Sequence, residues 1–464
     1  MTQDPAAWIN RSPGDLDFAF SEARRSDVGA AVSRSKQAFR GWSGLSLDGR
    51  RSALEACRER LRERTEELAR LISRETGKPL REARMEMGGV IAKFDLAFAD
   101  ADRFLREEPI ASGPHPAAIR RRPRGPAAVI APFNFPIHLG HGASVAYLLA
   151  GNTVLFKPSP LAVHVGAAYA QEMQSALPDG VFEFVPGGAQ AGRELSLHPD
   201  VRSVCFTGSV PAGTALAVSL AGDYAKSLAL ELGGKNSAIV LADAPLEEAA
   251  SAVADGMCLT AGQRCNATSR VLVQEGVAAD FLSLLQTSLD RYVPGNPLDE
   301  ATLLGPLISE AAKQRFGDLL DTMTGEWLRH GQRIDRLPAG QRGHYVTPAI
   351  LRTDTSFDTS PLATRESFVP ILAFETFTTE EMAVERHEAW NFGLTASIFT
   401  ADDSAFRRIG DRLSVGNLYA NLPTTFSPST LPFGGWGASG NGRPGGSGFI
   451  RFAAEEQAVQ WRKP

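Results

Sequence analysis

The sequence predicts an α/β fold in which helices cover parallel sheets. From about residue 127, short apolar runs alternate with helical segments, as in AAVIAP (127–132), which precedes a helix near 142–150. These runs are apolar at almost every position, which is typical of strands buried on both faces of a parallel sheet. Alternation of strands and helices implies right-handed crossover connections between parallel strands.

The segment before these strands is predicted to be helical from Ser26 to Leu105. Its clearest part has apolar residues at spacings of three, four and seven, which is the helical period. These residues are Leu54, Leu61, Leu68, Leu71 and Ile72. Gly77 and Pro79 then end the run.

Two blocks of alternating strands and helices follow. The first has strand-like runs NTVLFKP (152–158), FEFVPG (182–187), SVCFTG (203–208) and SLALELGG (227–234), with helices near 161–177 and 210–221. The second, from about Ser237 to Ala420, has SAIVLA, SRVLVQ, ILAFETF and TASIFT. The tail from Thr430 is rich in glycine and ends in the strand-like EEQAVQW.

Composition excludes several classes of protein. The 464 residues carry 48 basic and 53 acidic side chains, a net charge of −5, so neither nucleic acid nor an anionic membrane is an expected partner. The uncharged stretch from Gly125 to Phe156 contains prolines and asparagines that would leave unpaired polar groups in lipid. No signal peptide is recognised, and four scattered cysteines fit a reduced, cytoplasmic protein.

Cofactor-binding residues are expected where parallel strands end. The G-x-G-x-x-G match at Gly435, Gly437 and Gly440 does not lie between a strand and a helix, so an irregular loop is the better interpretation. Lys157 ends one predicted strand, and Thr207–Gly208–Ser209 end another just before a helix. Phosphates and riboses bind at such places, although spacing alone also allows an ordinary turn.

Cys265 lies among small and polar residues in LTAGQRCNATSR and follows Arg264. Nearby positive charge lowers the pKa of a thiol and favours the reactive thiolate, although a lone cysteine is more often a small buried residue. Cys57, Cys205 and Cys258 are predicted to be packing residues. No paired C-x-x-C or H-E-x-x-H spacing is present, so no metal site is predicted.

Three further motifs accompany Cys265 in the same order along the chain. They are PFNFP (132–136), ELGGK (231–235) and PFGGWGASG (432–440). Together with LTAGQRC they resemble the aldehyde dehydrogenase superfamily over nearly the whole chain. FNFPIHLGHG, LLAGNTVLFKPS and PFGGWGASGNGRP are also similar to the succinylglutamate semialdehyde dehydrogenases of bacterial arginine catabolism.

The resemblance implies roles for three catalytic residues. Cys265 matches the nucleophile that attacks the aldehyde carbon. Asn134 matches the amide that forms the oxyanion hole with the Cys265 backbone N–H, and Glu231 matches the base that activates the deacylating water. A base is needed when water is the acyl acceptor, so Glu231 favours hydrolysis over acyl transfer to coenzyme A.

The resemblance also implies a nicotinamide cofactor. Lys157 matches the residue at the adenosine ribose, and Thr207, Gly208 and Ser209 match the turn beside the cofactor. Glu366 matches the ligand of the nicotinamide ribose, and Phe368 packs near the ring. NAD is favoured. Pro160 stands where relatives that prefer NAD often carry a glutamate, so NADP stays open.

Two other departures concern the cofactor side of the chain. Val369 replaces a glycine of the E-x-F-G-P segment, which bears on how the loop around Glu366 is held. RSPGDLDFAF is short for the family's N-terminal hairpin, so a reduced edge of the cofactor domain is expected.

A substrate with two carboxylates would need cationic groups near its entrance. The sequence offers Arg264, Arg443, His138 and His141. Each also has an ordinary structural interpretation, because arginines often pair with surface acids or carbonyls and histidines in apolar loops are often core residues.

The expected architecture has three parts. Residues 1–107 and 126–232 form a Rossmann-type dinucleotide-binding domain, and residues 233–429 form an α/β catalytic domain. Residues 108–125 and 430–464 form a small β oligomerisation flap, which implies a homodimer or homotetramer by resemblance.

The expected function is NAD(P)-dependent oxidation of a small aldehyde to a carboxylate through a cysteine thioester. N-succinylglutamate 5-semialdehyde is the first substrate to consider, and a different semialdehyde or an aliphatic aldehyde is the second. Two rival functions are an acyl-transferring reductase and a non-catalytic relative that keeps the fold. The presence of Cys265, Asn134 and Glu231 argues against the non-catalytic relative.

Overall fold

The computed structural model describes residues 4–111, 113–323, 325–353 and 360–462. It begins with short strands and four helices: β1 (Ala7–Trp8), β2 (Arg11–Ser12), β3 (Asp15–Ala19), β4 (Ala23–Arg24), α1 (Val28–Ser43), α2 (Leu47–Glu63), α3 (Thr65–Thr76) and α4 (Leu80–Phe104). The predicted helical segment is confirmed. Leu54, Leu61 and Leu68 are fully buried, and Gly77 ends α3 with a φ of 77°.

The first alternating block follows. Its elements are β5 (Glu108–Ile110), β6 (Ala117–Pro123), β7 (Ala127–Ile130), α5 (His138–Leu149), β8 (Val154–Lys157), α6 (Val163–Ala176), β9 (Phe182–Phe184), α7 (Ala189–Leu197), β10 (Ser203–Thr207), α8 (Val210–Leu220) and β11 (Ser227–Glu231). Helix α5 begins four residues before the predicted start. Gly140 lets it pack closely, since a Cβ there would lie 2.7 Å from the Phe156 ring.

The second block and the tail complete the chain. They contain β12 (Asn236–Val240), α9 (Leu246–Cys258), β13 (Thr268–Gln274), α10 (Ala278–Leu289), α11 (Glu310–Thr322), β14 (Glu326–Arg329), β15 (Arg333–Arg336), β16 (Arg342–Val346), β17 (Ala349–Arg352), α12 (Pro361–Thr364), β18 (Ile371–Phe377), α13 (Glu380–Glu388), β19 (Phe392–Gly393), β20 (Thr395–Phe399), α14 (Asp403–Gly410), β21 (Asn417–Ala420), β22 (Pro432–Phe433), β23 (Trp436–Gly437), β24 (Gly440–Asn441), β25 (Gly445–Gly446) and β26 (Ala454–Gln460).

Two main sheets organise these elements. The first has the order β24-β11-β10-β7-β8-β9, in which β24 is antiparallel and the other strands are parallel. The second has the order β14-β17-β18-β13-β12-β20-β21, in which only β14 is antiparallel among the described strands. The predicted α/β class with parallel sheets is confirmed, and the helices bury both faces of each sheet.

A small third sheet has the order β26-β6-β5, with residues 454–460 antiparallel to residues 117–123. Other strands of the tail do not belong to this sheet: β24 joins the first main sheet, and β23 pairs with β19. The division into a cofactor domain, a catalytic domain and a flap is retained as a proposal.

The N-terminal segment lies beside the first sheet. Strands β2 and β3 form a hairpin, and the side chains of Trp8 and Asn10 donate to the Pro160 carbonyl at 3.2 and 2.8 Å. Among the described residues, no helix combines the length and apolarity that crossing a membrane requires.

Candidate active site

Three predicted site residues lie at the carboxyl edge of the first sheet. Lys157 ends β8, Thr207 ends β10 and Glu231 ends β11, with Thr207 and Glu231 in register. Strand β24 covers the other side of β11, where Gly440 pairs with Glu231. A side chain at 440 would not fit, since its Cβ would lie 2.1 Å from the Leu230 carbonyl oxygen. This edge therefore carries a cation at the end of β8, a turn at the end of β10 and a carboxylate at the end of β11.

Glu231 is buried, and neither of its carboxylate oxygens accepts a hydrogen bond of ordinary geometry from the described part of the chain. Burial raises the pKa of Glu231 to about 8, while the charge of Arg443 and the thiol of Cys265 act in the opposite direction. A carboxyl group that titrates near neutral pH without a fixed partner is suited to accepting and releasing a proton.

Cys265 comes from the second half of the chain and is half-buried, whereas Cys57, Cys205 and Cys258 are buried as predicted. Burial, and then the charges of Glu231 and Glu366, raise the pKa of Cys265 well above its ordinary value. The resting form is therefore the thiol, and its proton needs an acceptor before attack. Glu231 is the carboxylate that has the larger effect on this pKa.

A left-handed turn precedes the cysteine. Thr260, Ala261 and Gly262 have φ values of 52°, 54° and 71°. Left-handed backbone costs a residue with a side chain roughly 1–2 kcal/mol. Gly262 has no room for a side chain, because a Cβ would lie 2.7 Å from the Val369 carbonyl carbon. Contacts elsewhere must therefore stabilise this turn.

Glu82 of α4 supplies those contacts. Its carboxylate accepts the Thr260 backbone N–H at 3.2 Å, the Thr260 hydroxyl at 2.8 Å and the Arg264 guanidinium at 2.6 Å. Arg264 also donates to the Thr260 hydroxyl at 3.0 Å. Glu82 and Arg264 therefore hold Thr260, the residue at which the turn toward Cys265 begins.

Two asparagines hold the cysteine loop from other directions. The Asn134 amide donates to the Gln263 carbonyl at 2.9 Å, and the Asn236 amide donates to the carbonyls of Cys265 and Ala267, both at 2.8 Å. Asn134 is 4 % exposed. The structure therefore brings Asn134, Glu231 and Cys265 together from three separate segments of the sequence.

The cofactor side of the edge has two helix N-termini. Asp4 occupies that of α7, where its carboxylate accepts the backbone N–H groups of Gly188, Gln190 and Ala191 at 2.9–3.1 Å. Ser209 begins α8 without a side-chain hydrogen bond to the helix. The α8 terminus therefore keeps free N–H groups for an anion.

Lys157 is buried beside α7, and its ammonium donates to the Pro158 carbonyl at 3.1 Å. Burial lowers the pKa of Lys157 to about 8, while the Asp4 charge acts in the opposite direction. A polar ribose is a suitable partner for such a partly satisfied buried cation.

Glu366 lies against the ELGGK segment, where a Cβ on Gly233 would be 2.3 Å from the Glu366 carboxylate. Burial raises the pKa of Glu366 to about 8, and its Oε1 has no hydrogen-bond partner among the described residues. Phe368 has a φ of 52° and packs edge-to-face on Phe133 at 5.9 Å between ring centroids.

Val369 causes no backbone strain in this loop. Its φ is not positive, so the position does not require glycine, and the side chain is buried in the core of the second sheet. Arg315 also fixes the loop by donating to the Ser367 carbonyl at 3.0 Å.

Four residues were candidates for binding a substrate carboxylate, and most of them form hydrogen bonds or ion pairs within the protein. Arg264 pairs with Glu82, and Arg443 donates to the carbonyls of Gly416 and Pro432. His141 is fully buried, with its Nδ1 3.0 Å from the Tyr169 hydroxyl, so it is a core residue. His138 lies at the start of α5, where a Cβ on Gly89 would be 3.0 Å from its Nε2.

The comparisons with known proteins agree with this geometry. A model of the aldehyde dehydrogenase family matches residues 2–459. The chain belongs to the aldehyde dehydrogenase family. This dehydrogenase is 38 % identical over 436 residues to N-succinylglutamate 5-semialdehyde dehydrogenase 1 of Caulobacter vibrioides, covering 92 % of this chain and 90 % of that one. It is also 34 % identical to N-succinylglutamate 5-semialdehyde dehydrogenase of Burkholderia thailandensis, covering 94 % of this chain and 90 % of that one.

Solved structures agree on the fold of this dehydrogenase. An indole-3-acetaldehyde dehydrogenase of P. syringae in complex with NAD+ and IAA superimposes with a TM-score of 0.93 at 29 % identity, covering 98 % of this chain and 93 % of that one. A γ-glutamyl-γ-aminobutyraldehyde dehydrogenase of Burkholderia cenocepacia gives 0.91 at 29 % identity, with the same coverage. The expected family, fold and enzyme class are therefore confirmed.

The residues present fit a nicotinamide dinucleotide. The N-terminus of α8 can receive phosphate oxygens, and the Lys157 ammonium and the unpaired Glu366 oxygen can take ribose hydroxyls. Within the described ranges, no group of three or more His, Cys, Asp or Glu side chains could hold a metal ion.

Sequence reasoning missed the residues that hold the site. Glu82, Asn236 and Asp4 are separated from their partners by 29 to 187 positions. No local motif marks them. The sequence does hold one signal for Glu82. Charged residues stand at 82, 86 and 93, a helical spacing that places them on the same buried side of α4 as its apolar residues.

Proposed function

We propose that this chain oxidises an aldehyde to a carboxylate with NAD or NADP, through a thioester on Cys265. The observation that carries the proposal is the meeting of three groups: a half-buried thiol, a buried carboxylate that finds no hydrogen-bond partner among the described residues, and an amide that is fixed on the cysteine loop. This combination supports covalent acyl chemistry more specifically than the fold does.

Cys265 attacks the carbonyl carbon as the thiolate that forms when its proton leaves to solvent. The Asn134 amide and the Cys265 backbone N–H stabilise the negative charge on the substrate oxygen, and loss of one such donor typically costs about 10²–10³ in rate. A nicotinamide bound at this edge would accept the hydride that leaves the same carbon, and the bond to Cys265 is then a thioester. Glu231 takes a proton from water while the water oxygen attacks the thioester carbon. The C–S bond breaks, and Glu231 returns the proton to the Cys265 thiolate as the carboxylate is released.

Replacement of the nucleophile tests the proposal. Cys265→Ala is expected to abolish aldehyde-dependent formation of reduced cofactor while the equilibrium binding of NAD, measured by quenching of protein fluorescence, stays unchanged. Cys57→Ala is the matched control, because Cys57 is buried in α2 away from the site. Turnover by Cys265→Ala at the wild-type rate would refute the thioester.

The substrate is proposed to be an anionic semialdehyde, with N-succinylglutamate 5-semialdehyde first because two curated relatives bear that name. A different semialdehyde or an aliphatic aldehyde is the alternative. The measurement is kcat/KM for N-succinylglutamate 5-semialdehyde, succinate semialdehyde and butanal with each cofactor. A higher kcat/KM for butanal than for both semialdehydes would contradict the proposal.

Product analysis separates hydrolysis from acyl transfer. Glu231 favours water as the acceptor, so the carboxylate is expected with or without added coenzyme A. A thioester of coenzyme A as the main product would favour an acyl-transferring enzyme. We also propose a homodimer or homotetramer in the cytoplasm.

A further inference from the structure

Lys93 is a buried cation without a counter-charge of its own. It lies on α4 with 6 % of its surface exposed, and within the described ranges its ammonium forms no hydrogen bond or ion pair. The neighbouring carboxylate is already engaged, because Glu86 pairs with Lys78 and accepts the N–H groups of Ile137 and His138. Burial lowers the pKa of Lys93 to about 8, so most of the side chain stays charged at neutral pH.

The ammonium fills space that a side chain on α5 would otherwise occupy. A Cβ on Gly142 would lie 2.8 Å from the Lys93 Nζ. The two residues line a narrow cavity that also borders Pro444. The cavity volume is about 20 Å³, which is room for a group of about the size of one water molecule, and the cavity opens to solvent.

The cavity has one acidic residue, Asp100, and its carboxylate is satisfied. It accepts the Ser447 hydroxyl and the Gly448 N–H, both at 2.7 Å. Among the described residues it forms no ion pair with Lys93, so the hydrogen-bonding positions of the ammonium stay open to a ligand. A buried charge without a partner costs several kcal/mol, whereas a hydrogen-bonded anion would offset that cost.

Two of the elements that border the cavity continue into the candidate active site. Gly142 is one helical turn beyond His138, at the start of the helix that follows the Asn134 loop. Pro444 follows β24, the strand that pairs with Glu231.

We propose that the Lys93 ammonium binds a carboxylate of the aldehyde substrate, in a subsite that exists because residue 142 is glycine. The inference rests on the proposed oxidation of an aldehyde and names the chemistry that selects the aldehyde. Lys93 also provides the cationic group that Arg264, Arg443 and His141 do not, because those three are already engaged.

The test compares an anionic with an uncharged aldehyde in Lys93→Met. For whichever of succinate semialdehyde and N-succinylglutamate 5-semialdehyde the wild type uses better, kcat/KM is expected to fall roughly 10- to 100-fold, mainly through KM. For butanal the change is expected to be less than about twofold. Lys93→Arg should recover part of the loss because it keeps the charge, and Gly142→Ala should cause a similar loss by displacing the ammonium.

A binding measurement makes the result independent of turnover. Glutarate is expected to raise the Tm of the wild type and to have a smaller effect on Lys93→Met, whose own Tm should be unchanged or higher because a buried unpaired charge is gone. Lys36→Met is the matched control, since Lys36 forms an exposed pair with Asp200.

Equal losses for the anionic aldehyde and butanal, or a lower Tm for Lys93→Met, would show a structural role and overturn the subsite. An unchanged kcat/KM for the semialdehyde would also overturn it. If the wild type oxidises no aldehyde but glutarate still raises its Tm through Lys93, the proposed function fails and the anion site stands.

Discussion

At the scale of single residues, the environment of Glu231 determines when it can act. A base must be ionised to take a proton from water, and burial raises the pKa of Glu231 to about 8. The ionised fraction therefore increases as pH rises through that value. The burial of Glu231 therefore makes its proposed role as a base dependent on pH.

Hydrolysis of the thioester is expected to accelerate as pH rises through about 8 and to level off only about one pH unit above that value. In Glu231→Gln this pH-dependent step should disappear and steady-state turnover should fall by about 10² or more, while the first turnover still releases a burst of reduced cofactor. Stopped-flow measurement of the burst and of the following steady state checks both statements. Absence of the burst would assign Glu231 to thiol activation as its essential role.

Pro160 gives a prediction about the choice of cofactor. It begins the turn after Lys157, and its side chain bears no charge that would repel a 2′-phosphate. Pro160→Glu is expected to weaken NADP binding about tenfold relative to NAD at low salt, because like charges would then face each other. The ratio of the two Kd values by fluorescence is the measurement, and Pro160→Gln is the uncharged control. Equal ratios in both variants would contradict the electrostatic explanation.

At the scale of elements, α4 holds the turn that leads to Cys265, the proposed nucleophile. Glu82 accepts three hydrogen bonds from Thr260 and Arg264 across 178 to 182 positions of sequence. Glu82→Ala leaves Arg264 without its acceptor and the left-handed turn without its support. The free energy of unfolding is expected to fall by about 3 kcal/mol, and kcat by tenfold or more with little change in KM.

Urea unfolding and steady-state kinetics measure these effects. Glu59→Ala is the control, because Glu59 is exposed and pairs at the surface with Arg58 and Arg62, so its loss should change stability by less than about 1 kcal/mol. A Glu82→Ala protein with wild-type kcat would show that the turn keeps its conformation without α4.

The elements also show what the sequence could and could not predict. Strand ends were predictable, because apolar runs that stop at Lys157, Thr207 and Glu231 mark the edge of a parallel sheet from local pattern alone. The contacts of Glu82 and Lys93 were not. Periodicity assigns charged residues to the solvent face of a helix, whereas α4 buries both, since Glu82 contacts the cysteine loop and Lys93 packs against Gly142 of α5.

At the scale of the whole molecule, the three-stranded sheet leaves its outer strands open. Strand β6 is central, whereas β26 and β5 each have one edge without a partner among the described strands. Such edges invite pairing with another chain. Removal of residues 454–464 is expected to reduce an oligomer to monomers, as measured by analytical ultracentrifugation, while removal of 461–464 alone should leave the number of subunits unchanged. The same number of subunits after the longer truncation would assign assembly to another surface.

Strand β24 has a consequence for the order in which the carboxyl edge of the first sheet is completed. Glu231 and Cys265 are synthesised well before residues 440 and 441, yet the outer edge of β11 stays open until those two residues pair with it. A nascent chain can therefore pair the parallel strands of this sheet while β11 is still an edge strand. The edge that carries Glu231 thus reaches its final form only after residues 440 and 441 have left the ribosome.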